Sequence, residues 1–326
     1  MWGLGRRRIS DGPRGGGPRS GTAAAPVGST RPSDPMRHFS TKIFVRFASY
    51  IHFFREGSST KCDVQGRSMS EPQSNVLLRL TLRYACVCSA IHVGLRPIVR
   101  ELKHIDPRER GDCINRVIAS LHAAIVGVTC AFALVAEEPF SGMLPLRLGG
   151  ENVNFFAGHS RTLDWVLPIT LGYFCYDSVV MMIDREVYMP LMMVHHIGSL
   201  TTWPVAYMTD THHVYLLYLL STELSSPFLH QMVFFLPKAK REGTLFHTFC
   251  GVMLLLIFFF VRVCPVPLVI LSLVDASEHF LNLPGYIQLI TKITFPIPAA
   301  MNILWFYQII SVAMKECPSP KLNKAA

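Results

Sequence analysis

Six apolar runs, each long enough to cross a bilayer, leave this chain few folds to choose from. They cover residues 114–136, 163–183, 187–207, 213–236, 245–271 and 288–313. A hydrocarbon core about 30 Å thick is crossed by roughly 20 helical residues. Inside it every backbone N–H and C=O must be paired within the protein, which leaves helices and closed barrels. Runs this long are helices, so the expected fold class is all-α: a polytopic membrane bundle of six or seven transmembrane helices. The seventh candidate is 76–95, nearly span length but carrying Arg79, Arg83 and His92. Prolines at 190, 204, 227, 265, 267, 296 and 298 would break helices in water. In a bundle, neighbours can satisfy the carbonyls they free.

Charge sets the organisation and the orientation. The net charge is +9, and residues 1–75 hold 12 Lys/Arg against 5 Asp/Glu. A basic tail on a nearly neutral membrane body argues against a nucleic-acid partner. Rich in Gly, Pro, Ser and Arg, residues 1–75 read as a disordered N-terminal region. Within them, 36–54 is basic, aromatic and free of acids, suiting an interfacial helix or an organellar targeting sequence. Residues 76–112 form the possible first span and a charged loop, 113–315 the membrane domain, and 316–326 a tail. The loops 96–113 and 237–244 and the tail are basic, whereas 137–162, 208–212 and 272–287 are acidic or neutral. The positive-inside rule therefore puts both ends of the six-span core in the cytosol. The nine cysteines include no CxxC pair and lie mostly in apolar runs, where buried thiols are expected.

The chemistry concentrates in three consecutive spans. The first carries Asp177, the second His195 and His196, the third Glu223 followed by Ser225, Ser226 and Pro227. An ionisable group in a span is a functional-site candidate, because leaving it there is costly. At about 1.5 Å per residue, Asp177 lies roughly 20 Å into its helix, the histidines 12–14 Å and Glu223 15 Å. Because the spans run antiparallel, all four side chains are expected to face one partly hydrated pocket. Neutral imidazole suits a general base or nucleophile in acyl transfer, or else interhelical hydrogen bonding. Pro227 cannot donate to the Glu223 carbonyl. Carbonyl, carboxyl and serine hydroxyls together could receive a lipid head group, or the serines could repair a kink. Asp177 would orient an imidazole or neutralise Arg262, and Arg262 itself, roughly 26 Å along its helix, would snorkel to the interface. A zinc site from His195, His196, His212 and His213 fails on depth, so no metal is expected.

Gly172-Tyr173-Phe174-x-x-Asp177, Val194-His195-His196 and Glu223-Leu224-Ser225-Ser226-Pro227-Phe228 together resemble the TLC-domain family, over about residues 113–315. That family groups ceramide synthases with the translocating-chain-associated membrane protein and with lipid-homeostasis proteins. The spacing is most similar to the non-synthase branch of transmembrane protein fifty-six and its relatives. The resemblance implies a seventh span, the endoplasmic-reticulum membrane, membrane lipids as partners, no cofactor, and a role in handling or sensing lipid. Where synthases carry a His-Asp-x-Ser-Asp run, this chain reads Thr222-Glu223-Leu224-Ser225-Ser226. That departure weighs against an enzyme. The alternatives are an acyltransferase using His195 or His196 with acyl-CoA and a sphingolipid base, and a trafficking or chaperone partner.

Overall fold

In the computed structural model, residues 73–137, 156, 158–184, 187–234 and 244–316 are described, save 104 and 108. The N-terminal region, the basic loop 237–244 apart from Thr244, and the tail from 317 lie outside them. The described residues form an all-α polytopic bundle, as the apolar runs require. Helix α1 spans Gln73–Glu101, α2 Arg110–Ala136, α3 Leu163–Ile183 and α4 Pro190–Met208. Next comes α5, His213–Ser221, which passes through a 3-10 turn, Thr222–Ser225, into α6, Ser226–Phe234. Helix α7, Leu245–Phe258, passes through a π turn, Phe259–Val263, into α8, Pro265–Asp275. The short α9, Ser277–Leu281, precedes α10, Gly285–Thr294, and α11, Pro296–Glu316.

Among the described residues five helical stretches are long and apolar enough to cross a membrane: Gln73–Glu101, Arg110–Ala136, Leu163–Ile183, Leu245–Val274 and Gly285–Met314. The first contains the run 76–95. Of the runs 187–207 and 213–236, also expected as spans, residues 190–207 and 213–234 fold as helices, but α4 is diluted by polar residues and α5–α6 is interrupted. Residues 288–313 are not one regular helix: Pro296 has no N–H, and the chain breaks between α10 and α11 at Phe295.

Burial follows lipid logic. The very apolar α7 turns Leu245, Phe246, Phe249, Val252 and Leu256 outward. Lipid tails are as apolar as leucine, so this outward display costs nothing. By contrast α3 is buried on nearly every side, packing against α1, α2 and α4. Small residues allow the close crossings. A Cβ on Gly172 of α3 would lie 2.7 Å from the Thr81 carbonyl of α1, and one on Gly127 of α2 would lie 2.8 Å from the Leu224 nitrogen. The second contact seats α2 directly against the 3-10 turn that carries Glu223.

Candidate functional site

The two irregular turns explain where the polar residues point. Pro227 removes the helical bond to the Glu223 carbonyl, and the chain tightens so that the Ser226 N–H bonds that carbonyl instead. The freed acceptor expected there is therefore occupied. The carbonyl of Thr222 is the one that accepts from a side chain, the Arg262 guanidinium. On the facing helix, prolines at 265 and 267 also remove ladder donors. The Cys264 N–H reaches back five residues to the Phe259 carbonyl at 2.8 Å, the π turn that carries Arg262.

Arg262 does not snorkel. It is buried, with Nε donating to the Thr222 carbonyl and to Ser225 Oγ, each at 3.0 Å. Its Nη1 donates to Asn302 Oδ1 at 3.4 Å, and its Nη2 lies 3.5 Å from Glu223 Oε1. Ser226 Oγ donates to Glu223 Oε2 at 2.8 Å, and the guanidinium stacks over Phe258 at 5.2 Å. A cation with this many partners loses more by leaving for the interface than it gains in hydration. The expectation fails because depth counted along ideal helices ignores the 3-10 turn that carries Glu223 and the π turn that carries Arg262.

Asp177 belongs to a second group, with an imidazole rather than with Arg262. Its Oδ1 accepts from Asn115 Nδ2 at 2.6 Å, and its Oδ2 lies 3.4 Å from His196 Nδ1. The latter contact is close but too poorly aligned for a hydrogen bond, leaving His196 Nδ1 buried without a partner. His196 stacks on Phe174 at 4.4 Å, and His122 stacks on Tyr173 at 4.2 Å while its Nε2 meets Thr170 Oγ1 at 3.3 Å. Asn115 Oδ1 and His122 Nδ1 are also buried without partners. Buried orphans of this kind cost about 1–3 kcal/mol each, so packing alone does not explain them.

Five of the six candidates thus fall into two groups rather than one ring. Asp177 and His196 meet; Glu223, Ser225 and Ser226 gather on Arg262. Neither histidine makes a hydrogen bond or ion pair with Glu223. His195 stands between the groups, its ring 5.8 Å from Phe174 and 6.3 Å from Trp305, within electrostatic reach of Glu223 and Arg262. Sequence reasoning missed Asn115 and His122, whose spacing of seven puts both on one face of α2, and Asn302.

Beside the Arg262 group lies an apolar cavity of about 270 Å³, walled by α4, α5, α8, α10 and α11. Trp203, Tyr215, Val269, Ile290 and Phe295 line it, and Asn302 joins its wall to Arg262. Toward the opposite end, His212 Nε2 meets Thr291 Oγ1 at 3.0 Å.

The far ends of α2 to α5 are fastened separately. The Glu137 carboxylate accepts from Ser160 Oγ at 2.9 Å and from the backbone amides of Arg161 and Thr162 just before α3, while Ser160 Oγ accepts from the first helical amide, Leu163 N–H, at 3.3 Å. There His159, Asp210 and His213 bring three possible metal-ligand atoms within 4.8 Å of one another. The Ser160 N–H donates to His213 Nδ1 at 3.0 Å, so the proton of the neutral ring sits on Nε2, the atom that would face a metal.

Comparison with known proteins agrees with this architecture. The TLC-domain family matches residues 112–311. Similar relatives include TLC domain-containing protein 4 A of Dictyostelium discoideum, 26% identical over 49% of this chain and 62% of that protein. TLC domain-containing protein 4-B of Danio rerio is 24% identical over 63% of this chain and 75% of its own length. TLC domain-containing protein 4 of Xenopus tropicalis is 22% identical over 60% and 72%. The chain therefore spans less than two thirds of the Dictyostelium relative. With a family match over most of its length and helices able to cross a bilayer, this chain is an integral membrane protein of the TLC-domain family.

Proposed function

We propose that this protein binds a membrane lipid inside its helical bundle and contributes to lipid homeostasis by handling or sensing it, in the endoplasmic-reticulum membrane. The observation that carries the reading is the apolar cavity, which ends beside the Asn302–Arg262–Glu223 network. An acyl chain gains little by moving from lipid tails into an equally apolar cavity. The cavity therefore selects chain shape, and affinity comes from its polar margins. Asn302 and the Arg262 group meet a head group at one end, with the His212–Thr291 pair at the other. Membership of a family linked to lipid metabolism supports the same reading.

Lipid mass spectrometry on purified full-length protein tests it. One lipid class should co-purify with wild type and be depleted in Ile290→Trp, which fills the cavity. The same lipids at the same occupancy in both proteins would refute the proposal. A second reading, acyl transfer, has one observation in its favour: Asn115 holds Asp177, which lies 3.4 Å from His196 Nδ1, an orienter beside a base. Against it stands the Thr222–Ser226 run. We expect no product from acyl-CoA and sphinganine in proteoliposomes. Product that disappears in His195→Ala or His196→Ala would make the protein an enzyme.

A further inference from the structure

The end of the bundle at which α4 turns into α5 carries a cluster that neither polar group uses. His159 Nδ1 lies 2.9 Å from Asp210 Oδ1, and its Nε2 meets Asp164 Oδ2 at 3.4 Å, with Asp164 Oδ1 at 3.1 Å. A neutral imidazole has one N–H and can donate to only one carboxylate, whereas an imidazolium donates to both. Two carboxylates against two ring nitrogens is the geometry of the protonated ring. The surrounding groups support it. Tyr207 OH donates to Asp164 Oδ1 at 2.9 Å, so that carboxylate stays an acceptor. The His213 ring is 5.3 Å away and stacks on Tyr207, with its Nδ1 taken by Ser160. Glu137 is occupied by the amides at the start of α3, and Arg161 follows in the same segment. A divalent cation in place of the proton would need a lone pair on His213 Nε2, hence the tautomer that breaks the Ser160 bond.

His159 precedes α3, and Asp210 sits in the turn between α4 and α5, so their contact ties two elements together. That turn is unusual: Asp210 and His212 both have left-handed backbones, with φ of 49° and 63°. Such conformations persist where surrounding contacts hold them. The next two residues, Thr211 and His212, are part of the cavity wall. One short turn is therefore clamped from outside and lines the cavity from within.

We propose that protonated His159 latches the 209–212 turn onto the start of α3 and closes that end of the cavity, and that loss of the proton frees the turn. Burial alone would lower the pKa of His159, but hydrogen bonds and charge from Asp210 and Asp164 outweigh it and raise the value above 6.5. A raised histidine stabilises fully below its unfolded value and loses that contribution as pH rises through the folded one. The latch is thus shut in acid and released toward alkaline pH. Its use as a lipid gate rests on the proposed function, but the latch is testable without lipid.

Hydrogen exchange followed by mass spectrometry on full-length wild type, His159→Gln and Asp210→Asn makes the test, each compared at matched pH from about 5.5 to 8.5. Asparagine tolerates the left-handed backbone, so the second variant keeps the turn and loses only the charge. The reporting amides are those of Asp210 and Thr211, which bond to the carbonyls of Tyr207 and Ala206. At the acid end, wild type should exchange about two- to fivefold more slowly than either variant, the range for a partly exposed charge pair. The ratio should fall to unity at the alkaline end. A ratio that is unity throughout, or that does not change with pH, overturns the proposal. So does protection restored at alkaline pH by added zinc in wild type but not in His159→Gln, since the cluster would then hold a cation. If His159→Gln does not fold, Asp210→Asn decides alone.

Discussion

Neutralising both partners of the Glu223–Arg262 pair should cost well below the sum of the two single neutralisations. The Arg262 side chain is 10% exposed and that of Glu223 21%, so neither charge can be handed to bulk water without rearrangement. Glu223→Gln leaves the guanidinium with neutral acceptors only: the Thr222 carbonyl, Ser225, Ser226 and Asn302. Breaking a buried pair in this way costs about 3–5 kcal/mol. Four remaining acceptors put this variant near the lower end. Arg262→Met leaves Glu223 with the Ser226 hydroxyl as its hydrogen-bond donor, which puts that variant near the upper end. In the double variant both charges are gone, and the loss should fall well below the sum, by a coupling of about 2–3 kcal/mol. Detergent-micelle unfolding of the full-length protein, titrated with denaturing detergent, measures all four corners of the cycle. A total stability of about 5–15 kcal/mol leaves room for both single losses. Additivity within about 0.5 kcal/mol would show that the two groups do not act as a pair.

The close helix crossings make two further predictions. Gly127→Ala places a Cβ against the backbone at Leu224 and should destabilise by about 1–3 kcal/mol, read in the same unfolding assay. Gly172→Ala does the same between α3 and α1; limited proteolysis should then cut α1 first, and an unchanged pattern would show that α1 is not held by this contact. The basic loop 237–244 and the tail should react with an impermeant thiol reagent outside sealed microsomes, on single-cysteine, cysteine-depleted proteins. Protection of either site would reverse the orientation given by the charges.

The helices were legible because hydropathy and length decide them: residues 163–183, read as a span, are helix α3 residue for residue. Side-chain partners were less legible. Asp177, His195 and His196 stood out because charge is rare in apolar runs, and Asp177 and His196 do lie together. Glu223 and Arg262 were equally conspicuous, yet arithmetic on ideal helices set them at different depths. A 3-10 turn on one helix and a π turn on the other break that arithmetic, and both depend on prolines visible in the sequence. The His159 cluster left no local signal at all. Its members come from two stretches of chain, 159–164 and 207–213, and only the packed ends of α3 to α5 bring them together.

The Arg262 network also bears on how the chain enters the membrane. Synthesis proceeds from the N-terminus, so Glu223 reaches the bilayer before the helix that carries its counter-ion. An arginine at mid-membrane costs about 2.5–3.5 kcal/mol on insertion when nothing awaits it. Here the carboxylate, the Thr222 carbonyl and two serine hydroxyls are already in place when residues 245–275 arrive. The order is not symmetrical. A chain that stops short of Arg262 strands an acid in the bilayer with its neutralising partner never made, while a chain that continues delivers the partner to a prepared berth. A premature stop within α7 should therefore yield a protein that membrane quality control removes faster than one ending after α8.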